Sequence, residues 1–359
     1  MILVTGGCGF IGSNFIHYWL THENQPLVNI DKLTYAGNPL NLQKFNSDPR
    51  YHFIRGDICD RSLLLEIFHT YKPNAIIHFA AESHVDRSIY GPQDFIQTNI
   101  LGTFQLLESF REYLNTVPRS NWSQYRMIHI STDEVFGSLT PEEPPFTEIN
   151  RYAPNSPYAA SKASSDHLVR AYHHTYQLPL ITTNCSNNYG PYQFPEKFIP
   201  LVICNALEGQ PIPIYGDGLQ IRDWLYVEDH VRGLIAVLKG GTIGETYNIG
   251  GRSEKTNRSV AELICERLDH KCPLPNGQSY KSLITFVADR PGHDRRYAID
   301  CQKIEKELGW KPRENFLSGI EKTIDWYLNH KVWIEQVKNQ SYRNWIKQNY
   351  EKRLASRPE

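Results

Sequence analysis

Hydrophobic positions in the first half of the chain recur with two alternating periods. Short β-rich runs predict strands at 2–5, 27–30, 51–54, 75–79, 126–130 and 180–183. Between them, apolar side chains repeat at helical spacing, for example Phe15, Ile16, Trp19 and Leu20, and then Leu64, Ile67, Phe68 and Tyr71. Period-2 runs that alternate with period-3.6 runs are typical of βαβ units. The pattern therefore predicts an α/β fold with a doubly wound parallel sheet and helices on both faces.

Beyond position 187 the periodic pattern loosens, and proline and glycine become frequent up to position 218, which is typical of irregular structure. A late amphipathic helix is marked by apolar residues at helical spacing, namely Phe316, Ile320, Ile324, Tyr327 and Leu328. We predict a larger domain from residues 1–186, with a return segment around 223–247. A smaller α/β domain would comprise 187–222 and 248–359, and the late helix would pack on it.

The composition is that of an ordinary globular protein of 359 residues, with 40% hydrophobic and 21% charged residues. The 38 Lys and Arg residues nearly balance the 39 Asp and Glu residues. Because no global positive field exists, nucleic acids and acidic membranes are not expected partners. An anionic ligand would need a local cluster of basic side chains.

Met1 leads directly into the first strand without a basic flank or a cleavage site, so we expect no signal peptide. No apolar stretch approaches the roughly 20 residues that cross a bilayer. The seven cysteines are odd in number and scattered, and they form no CxxC motif. This usage argues for reduced thiols and against a disulfide framework or a zinc site. We therefore expect a cytoplasmic protein with no metal site.

A glycine-rich turn follows the first predicted strand and opens the first predicted helix. Gly6, Gly9 and Gly12 have the GxxGxxG spacing that lets backbone approach a pyrophosphate at a helix N-terminus. Asp31 ends the second strand, where a carboxylate can accept both hydroxyls of an adenosine ribose. These features predict a Rossmann-type domain that binds NAD rather than NADP, although Lys32 weakens the exclusion of a 2′-phosphate. An ordinary strand-end turn at Asp31 is the alternative.

Tyr158 and Lys162 form a YxxxK motif behind Ser156 and Pro157, which read as a helix N-cap and first helical residue. The i, i+4 spacing puts the phenol and the ammonium on one helix face. A phenol is a poor base at neutral pH, but a nearby ammonium and a cationic nicotinamide both favour the phenolate. The motif therefore predicts a base that takes a hydroxyl proton from a substrate. On its own, a tyrosine four residues before a lysine would more often be a pair of ordinary exposed side chains.

Two adjacent carboxylates, Asp133 and Glu134, follow Thr132 at the end of the fifth predicted strand. Ligands of parallel sheets sit beyond the carboxyl ends of the strands, so this segment should face the nicotinamide. Charge beside a buried pocket is costly unless it is paired or used. Elimination of water from a sugar oxidised at C4 would use both acids, with Glu134 as base at C5 and Asp133 as acid at C6. A solvated acidic loop is the alternative.

The chain resembles the extended short-chain dehydrogenase/reductase family, and within it the branch that dehydrates dTDP-glucose. The resemblance covers almost the entire length and is carried by the segments 5–12, 31–34, 80–88, 132–134, 158–162, 184–191, 222–224 and 289–294. Thr132-Asp133-Glu134 is its specific part, because related epimerases lack the acid–base pair. The resemblance implies oxidation at C4, loss of water across C5 and C6, and return of the hydride to C6 by a bound NAD.

The resemblance also implies which residues hold NAD. Besides the turn glycines they are Phe10, Ile11, Asp31, Lys32, Leu33, Thr34, Asp57, Ile58, Ala80, Ala81, Thr98, Tyr158, Lys162 and Asn188. Asp57 and Ile58 would bracket the adenine, and a plain turn is the alternative there.

By the same resemblance, Ser83, Thr132 and Tyr158 would hold the glucose. The nucleotide diphosphate would be held by Asn187, Lys197, Phe198, Pro213, Tyr215, Arg222, Asn257, Asp289, Arg290 and His293. Lys197, Arg222 and Arg290 would supply the local basic cluster that the neutral overall charge requires. Without the resemblance, ordinary surface charge would be the simpler interpretation. The family also implies a homodimer built from paired helices of the cofactor domain.

Two other functions remain open at this point. A nucleotide-sugar 4-epimerase would need NAD, Tyr158 and Lys162 but would give Asp133 and Glu134 no role. A non-enzymatic NAD-binding module would have no use for an activated phenol. Both alternatives therefore leave one of the chemical motifs unexplained.

Overall fold

The structure, a computed structural model, describes residues 1–354. The described strands, labelled in chain order, are β1 (Ile2–Thr5), β2 (Leu27–Asp31), β3 (Tyr51–Arg55), β4 (Ala75–His78), β5 (Arg126–Thr132), β6 (Leu180–Cys185), β7 (Asn187–Tyr189), β8 (Ile212–Tyr215), β9 (Ile221–Tyr226), β10 (Thr246–Ile249), β11 (Glu254–Thr256) and β12 (Ile284–Val287).

The α-helices of the same residues are α1 (Phe10–His22), α2 (Arg61–Tyr71), α3 (Val85–Tyr90), α4 (Pro92–Phe95), α5 (Thr103–Asn115), α6 (Pro157–Tyr176), α7 (Phe198–Leu207), α8 (Val227–Gly240), α9 (Asn257–Lys271), α10 (Gln302–Leu308), α11 (Phe316–Asn329), α12 (Lys331–Val337) and α13 (Gln340–Leu354). A π-helical segment, Ile96–Gly102, joins α4 to α5. Within the described part of the chain, none of these helices has the length and apolar character required to cross a membrane.

The largest sheet contains seven parallel strands in the order β10-β6-β5-β4-β1-β2-β3. Its central strands are buried on both faces, which explains their continuous hydrophobic character. The strand order reverses between β1 and β4. A crevice opens beyond the carboxyl ends of strands at such a reversal, and ligands of open α/β sheets bind there.

Helices cover both faces of this sheet, each with its own apolar layer. On one face α1 packs beside α8, and Phe15, Trp19 and Leu234 are buried in the shared core. On the other face α5 lies between α2 and α6, and Phe68 and Phe110 are buried there. The sequence prediction of a doubly wound α/β fold is confirmed.

A second group of elements lies at the carboxyl edge of the large sheet. It contains the three-stranded sheet β11-β9-β7 and the pair β12-β8, together with α7, α9, α11 and α12 around a separate apolar cluster. The predicted late helix is α11, and its residues Phe316, Ile320, Ile324 and Tyr327 are buried in that cluster. This prediction is also confirmed.

All six strands predicted from the first half exist; the first has the predicted bounds, and the other five differ by one or two residues at their ends. The strand β5 extends to Thr132 and β6 to Cys185, so both reach further toward the crevice than the pattern indicated. The sequence pattern did not predict the short strands of the second group. In the region of the predicted return segment, α8 packs on α1 and β10 joins the large sheet. The division of the chain into two domains stays a prediction.

Candidate active site

Two adjoining clefts lie at the carboxyl edge of the large sheet. The first runs from the β1–α1 turn to the start of α6, and the second lies between the 83–86 loop and the second group of elements. The residues that line both clefts are Ser83, Glu134, Asn187, Asn188, Gln193, Glu196 and Lys197. A ligand in one cleft can therefore meet a ligand in the other at this shared wall.

The β1–α1 turn leaves the N-terminus of α1 open to the first cleft. Gly6 adopts a φ of +71°, and a Cβ there would lie 2.6 Å from the Ala80 backbone nitrogen, so only glycine fits. Gly9 precedes α1 without a side-chain cap, and the first turn of the helix carries no acidic residue. A Cβ at Gly9 would approach only the Gly6 oxygen, at 3.3 Å. These free N–H groups suit an anionic ligand.

At the end of β2, the buried Asp31 carboxylate accepts hydrogen bonds from the backbone N–H groups of Cys8 and Leu33, both at 2.8 Å. Burial raises the pKa of Asp31, while these two hydrogen bonds oppose the rise. The neighbouring Lys32 ammonium lies 2.7 Å from the Asp57 carboxylate. Because Lys32 is paired with Asp57, its ammonium is not free to pair with a 2′-phosphate of the cofactor.

The helix α6 brings Tyr158 and Lys162 into the first cleft. Ser156 caps the helix by accepting from the Ala159 N–H at 3.1 Å, and Pro157 is the first helical residue. Lys162 is buried and donates to the Ile130 carbonyl at 2.8 Å. Burial raises the pKa of Tyr158 well above its usual value, and the nearby Glu134 adds to the rise. Burial lowers the pKa of Lys162, and the nearby Asp166 opposes this fall.

The two acids after β5 occupy different environments. Glu134 lines both clefts, whereas Asp133 is only 1% exposed and lines neither. Burial raises the pKa of Asp133 well above its usual value, and Glu134 and Asp223 raise it further. Burial also raises the pKa of Glu134, but Arg290, Arg222 and Lys197 oppose that rise. Burial therefore raises the pKa of both acids, and the basic cluster opposes this rise chiefly at Glu134.

The basic cluster lines the second cleft. Lys197 donates to the Ser83 carbonyl at 2.7 Å, and Arg222 donates to the Asp294 carbonyl at 3.0 Å while lying over the Tyr297 ring. Arg290 lies 3.4 Å from the Asp86 carboxylate. Among the described residues, Arg290 Nε, Asn187 Oδ1 and Trp224 Nε1 are buried without a hydrogen-bond partner.

Most residues predicted from the sequence line one of the clefts. Those in the first are Gly6, Gly9, Phe10, Ile11, Gly12, Asp31, Lys32, Thr34, Asp57, Ile58, Ala80, Ala81, Ser83, Thr98, Thr132, Tyr158, Lys162 and Asn188. Those in the second are Asn187, Lys197, Phe198, Pro213, Tyr215, Arg222, Asn257, Arg290 and His293. Leu33, Asp133 and Asp289 do not line either cleft. Asp289 instead accepts from the His293 ring at 2.6 Å.

Several buried polar residues escaped the sequence prediction. Asp166, one turn after Lys162 on α6, accepts from Ser131 at 2.7 Å and Tyr152 at 3.0 Å and contacts the His129 ring at 3.0 Å. Burial raises the pKa of Asp166 to about 6, and Lys162 opposes the rise. The i, i+4 spacing of Lys162 and Asp166 was visible in the sequence and could have indicated this pair.

A second missed group lies around the second cleft. Glu196 lies 2.8 Å from the Arg87 guanidinium, and Asp86, which is 2% exposed, lines the second cleft. Tyr350 of α13 also lines the cleft. No local signal distinguishes these residues, because the groups they contact are distant in the sequence.

Comparisons with known proteins match nearly the whole chain. The family model described as GDP-mannose 4,6 dehydratase matches residues 3–323. The dTDP-glucose 4,6-dehydratase of Salmonella typhimurium is 58% identical, over 98% of this chain and 99% of that protein. The structure of DesIV, the dTDP-glucose 4,6-dehydratase of Streptomyces venezuelae solved with NAD, has a TM-score of 0.86 and 45% identity, and covers 94% of this chain and 99% of that one. A UDP-glucose 4-epimerase from Thermotoga maritima reaches a TM-score of 0.80 and 26% identity, over 91% and 98%.

The parallel sheet, the glycine turn at the start of α1 and the Tyr–Lys pair in the same cleft define an enzyme of the short-chain dehydrogenase/reductase class. The acids that follow β5 and the full-length similarity narrow this class. The chain belongs to the GDP-mannose 4,6 dehydratase family and, within it, to the dTDP-glucose 4,6-dehydratases.

Proposed function

We propose that this protein dehydrates dTDP-glucose to dTDP-4-keto-6-deoxy-glucose, as an NAD-dependent hydro-lyase. The observation that carries the proposal is the position of Glu134 on the wall shared by the two clefts, next in the chain to the buried Asp133. From this wall, Glu134 can act on a sugar that reaches from the second cleft toward a cofactor in the first.

The first cleft fits a dinucleotide. Gly9 leaves space where a side chain would otherwise stand, and the uncapped start of α1 offers N–H groups to a pyrophosphate. Asp31 would accept the ribose hydroxyls, since each of its oxygens retains a free lone pair beside its backbone hydrogen bond. When bound, NAD supplies the oxidation at C4 and the later reduction at C6, so the overall reaction has no net redox change.

Tyr158 would take the proton of the C4 hydroxyl. Burial raises the pKa of Tyr158, and the hydrogen bond between Thr132 and the phenol opposes that rise. Lys162 would add a positive charge on the same helix face, and its bond to the Ile130 carbonyl holds the ammonium near the end of β5. Ser83 and Thr132 would hold the glucose hydroxyls.

Elimination would follow at C5 and C6. Glu134 would remove the C5 proton, which an adjacent C4 ketone makes acidic, and a C5–C6 double bond would form. Asp133 would protonate the C6 hydroxyl as the C6–O bond breaks, so that one water molecule leaves. The raised pKa of Asp133 supports its role as the acid, because a donor must be protonated near neutral pH.

Lys197, Arg222 and Arg290 would hold the diphosphate. Arg guanidinium groups bind phosphate oxygens in a bidentate manner, and Arg290 Nε has no partner among the described residues. Phe198, Asn257 and Tyr215 line the same cleft and would surround the nucleoside.

We also propose that the protein is a cytoplasmic homodimer. The helical stretch from α3 to α5 exposes large apolar side chains, including Tyr90 at 47%, Ile96 at 51% and Leu101 at 43%. Such a patch supports an interface between copies of the chain. All seven cysteines are free thiols, which supports a reducing compartment.

One assay tests the proposed reaction. The purified protein is incubated with dTDP-glucose without added NADH, and the product is identified by mass spectrometry and NMR. We expect a 4-keto-6-deoxy sugar nucleotide, 18 mass units lighter than the substrate by loss of one water. Formation of dTDP-galactose instead would identify a 4-epimerase. If the substrate is not converted at all, the proposed reaction is refuted and a non-enzymatic NAD-binding module is favoured.

A further inference from the structure

A buried carboxylate, that of Asp166, lies on α6 one helical turn beyond Lys162 and on the same helix face. Asp166 is 4% exposed and is surrounded by hydrogen-bond donors. Its Oδ2 accepts from the hydroxyls of Ser131, at 2.7 Å, and Tyr152, at 3.0 Å. Its Oδ1 lies 3.0 Å from His129 Nε2. Donors around a carboxylate favour its ionised form, so these contacts suit a negative charge at this position.

The Lys162 ammonium is buried beside this carboxylate. It donates to the Ile130 carbonyl at 2.8 Å, which is a neutral partner. Burial lowers the pKa of Lys162, and Asp166 is the leading group that opposes this fall. The influence is mutual. Burial raises the pKa of Asp166 to about 6, and Lys162 and then the exposed His167 oppose that rise. A pKa of about 6 leaves the carboxylate largely ionised at neutral pH.

The other buried titratable side chains that surround this pair are uncharged near neutral pH. Burial lowers the pKa of His78 on β4 and of His129 on β5 well below the usual value. Burial also raises the pKa of the Cys185 thiol on β6, which keeps the thiol protonated. Within the described part of the chain, Asp166 is therefore the carboxylate that acts as the counter-charge of Lys162.

From this arrangement, and resting on the proposed function, we propose that Asp166 is a positioning residue whose charge keeps Lys162 in its ammonium form, so that the Tyr158 phenolate can form and take the C4 hydroxyl proton. Asp166 lines neither cleft, whereas Lys162 lines the first, so the effect of Asp166 passes through the lysine. Burial and the nearby Glu134 raise the pKa of Tyr158. A phenolate at this position therefore depends on a nearby cation.

The rate of cofactor reduction in a single turnover tests the proposal, because oxidation at C4 precedes the elimination step. The NAD-loaded full-length protein is mixed rapidly with dTDP-glucose at a series of pH values, and the reduced cofactor is followed by its absorbance. Asp166→Asn keeps the size of the side chain and removes the charge. We expect the acidic limb of its pH profile to move upward by about one pH unit, which lowers the rate on that limb about tenfold. At higher pH the two rates should converge.

Three further variants separate charge from packing. Ser165→Ala removes a hydroxyl that lies 3.2 Å from His129 Nε2 on the same helix and changes no charge, so its acidic limb should stay at the wild-type pH. Asp166→Glu restores the charge and should return the limb to within about half a pH unit of the wild type. Tyr152→Phe removes one donor from the carboxylate, so its limb should move in the same direction as that of Asp166→Asn, by a smaller amount. Thermal unfolding and NAD titration of each variant confirm that the fold and the first cleft are intact.

The position of the acidic limb decides between the outcomes. A limb that stays at the wild-type pH in Asp166→Asn would overturn the proposal, and if that variant does not fold, an unmoved limb in Tyr152→Phe would do so. A rate that is lowered by the same factor at every pH would also overturn it, because Asp166 would then only attach α6 to β5. A wild-type protein that does not reduce its NAD with dTDP-glucose would instead refute the proposed function.

Discussion

Asp133 and Glu134 are neighbours in the chain, yet the fold separates their chemistry. Asp133 turns into the protein interior, where one carboxylate oxygen has no partner among the described residues. Glu134 turns into the wall between the clefts, within the field of three basic side chains. Burial favours the neutral form of an acid and nearby cations favour its anion. The two residues are therefore suited to opposite tasks at the same pH.

For Glu134→Gln we expect a protein that still binds NAD and dTDP-glucose but no longer exchanges the C5 hydrogen with solvent. The amide retains the size of the side chain and cannot accept the proton. The rate of product formation should fall by about 10²- to 10⁴-fold. Incubation in D2O followed by NMR measures the exchange, and wild-type exchange in the variant would remove Glu134 as the base.

Asp133→Asn should have a different signature, because the acid acts at C6. The variant should retain exchange at C5 while the rate of water loss falls by about 10²-fold or more. The same D2O incubation, combined with a product assay, separates the two roles. Loss of both exchange and product in Asp133→Asn would show that Asp133 supports proton removal and is not limited to the departure of water.

At the scale of elements, the β1–α1 turn shows how backbone proximity constrains the sequence. A Cβ on Gly12 would overlap the Gly6 oxygen and lie 2.8 Å from the Gly7 Cα. The contact joins the first turn of α1 to the loop that precedes it. Only a residue without a side chain allows this approach.

We expect Gly12→Ala to destabilise the protein by about 1–3 kcal/mol, because the overlap is with backbone that cannot rotate away. NAD binding should weaken in parallel, since the turn would have to shift. Urea unfolding and NAD titration measure the two effects. Gly91→Ala is the matched control, because a Cβ there meets nothing closer than 3.9 Å. Equal stability of the two variants would contradict the packing argument.

The α6 helix illustrates a different element-scale effect. Its N-cap at Ser156 and its first residue, Pro157, start the helix where the sequence predicts. Asp166 then binds Ser131 and Tyr152 and contacts the His129 ring, which attaches α6 to β5 beneath Lys162. This buried contact network holds the Tyr–Lys face against the strand that carries the two acids.

At the scale of the whole molecule, burial leaves several histidines neutral. Burial lowers the pKa of His230 to about 3, and its ring donates to Asn188, which lines the first cleft. The folded-state pKa is below the unfolded value of about 6.5, so the unfolded chain binds more protons between these limits. The contribution of His230 to stability is therefore present above pH 6.5 and is lost as the pH falls toward 3.

We expect His230→Gln to be less stable than the wild type at pH 7, by about 1 kcal/mol for a weakened hydrogen bond. That difference should shrink, and then reverse, by about 1.4 kcal/mol per pH unit below 6.5, because glutamine does not titrate. Urea unfolding of both proteins at pH 7, 6 and 5 measures the difference. A gap that is constant across this range would show that folding does not shift the pKa of His230.

The sequence predicted the features that local spacing encodes. Alternating periods identified the six strands and the helix faces, since burial on one side produces the same repeat wherever the element packs. The Gly6–Gly12 turn and the Tyr158–Lys162 pair were equally visible, because each acts within a few residues of chain. Together these patterns indicated the fold class and the first cleft.

The residues of the second cleft could not be brought together from local sequence patterns. Ser83, Arg222 and Arg290 come from three separate parts of the chain, and resemblance to a family, not spacing, predicted that they meet. The inward face of α13 places Asn349 and Arg353 at buried positions, so its pattern does not read as an apolar face.

What the sequence determined by itself was therefore the set of elements and the local motifs they carry, because short-range periodicity and backbone constraints act within each element. Only the tertiary structure decided that Asp133 is buried and that Glu134 lies on the wall shared by the two clefts. It also decided that Tyr350 of α13 lines the second cleft. Burial and pairing at these positions arise from contacts between residues far apart in the chain, and local patterns contain no record of such contacts.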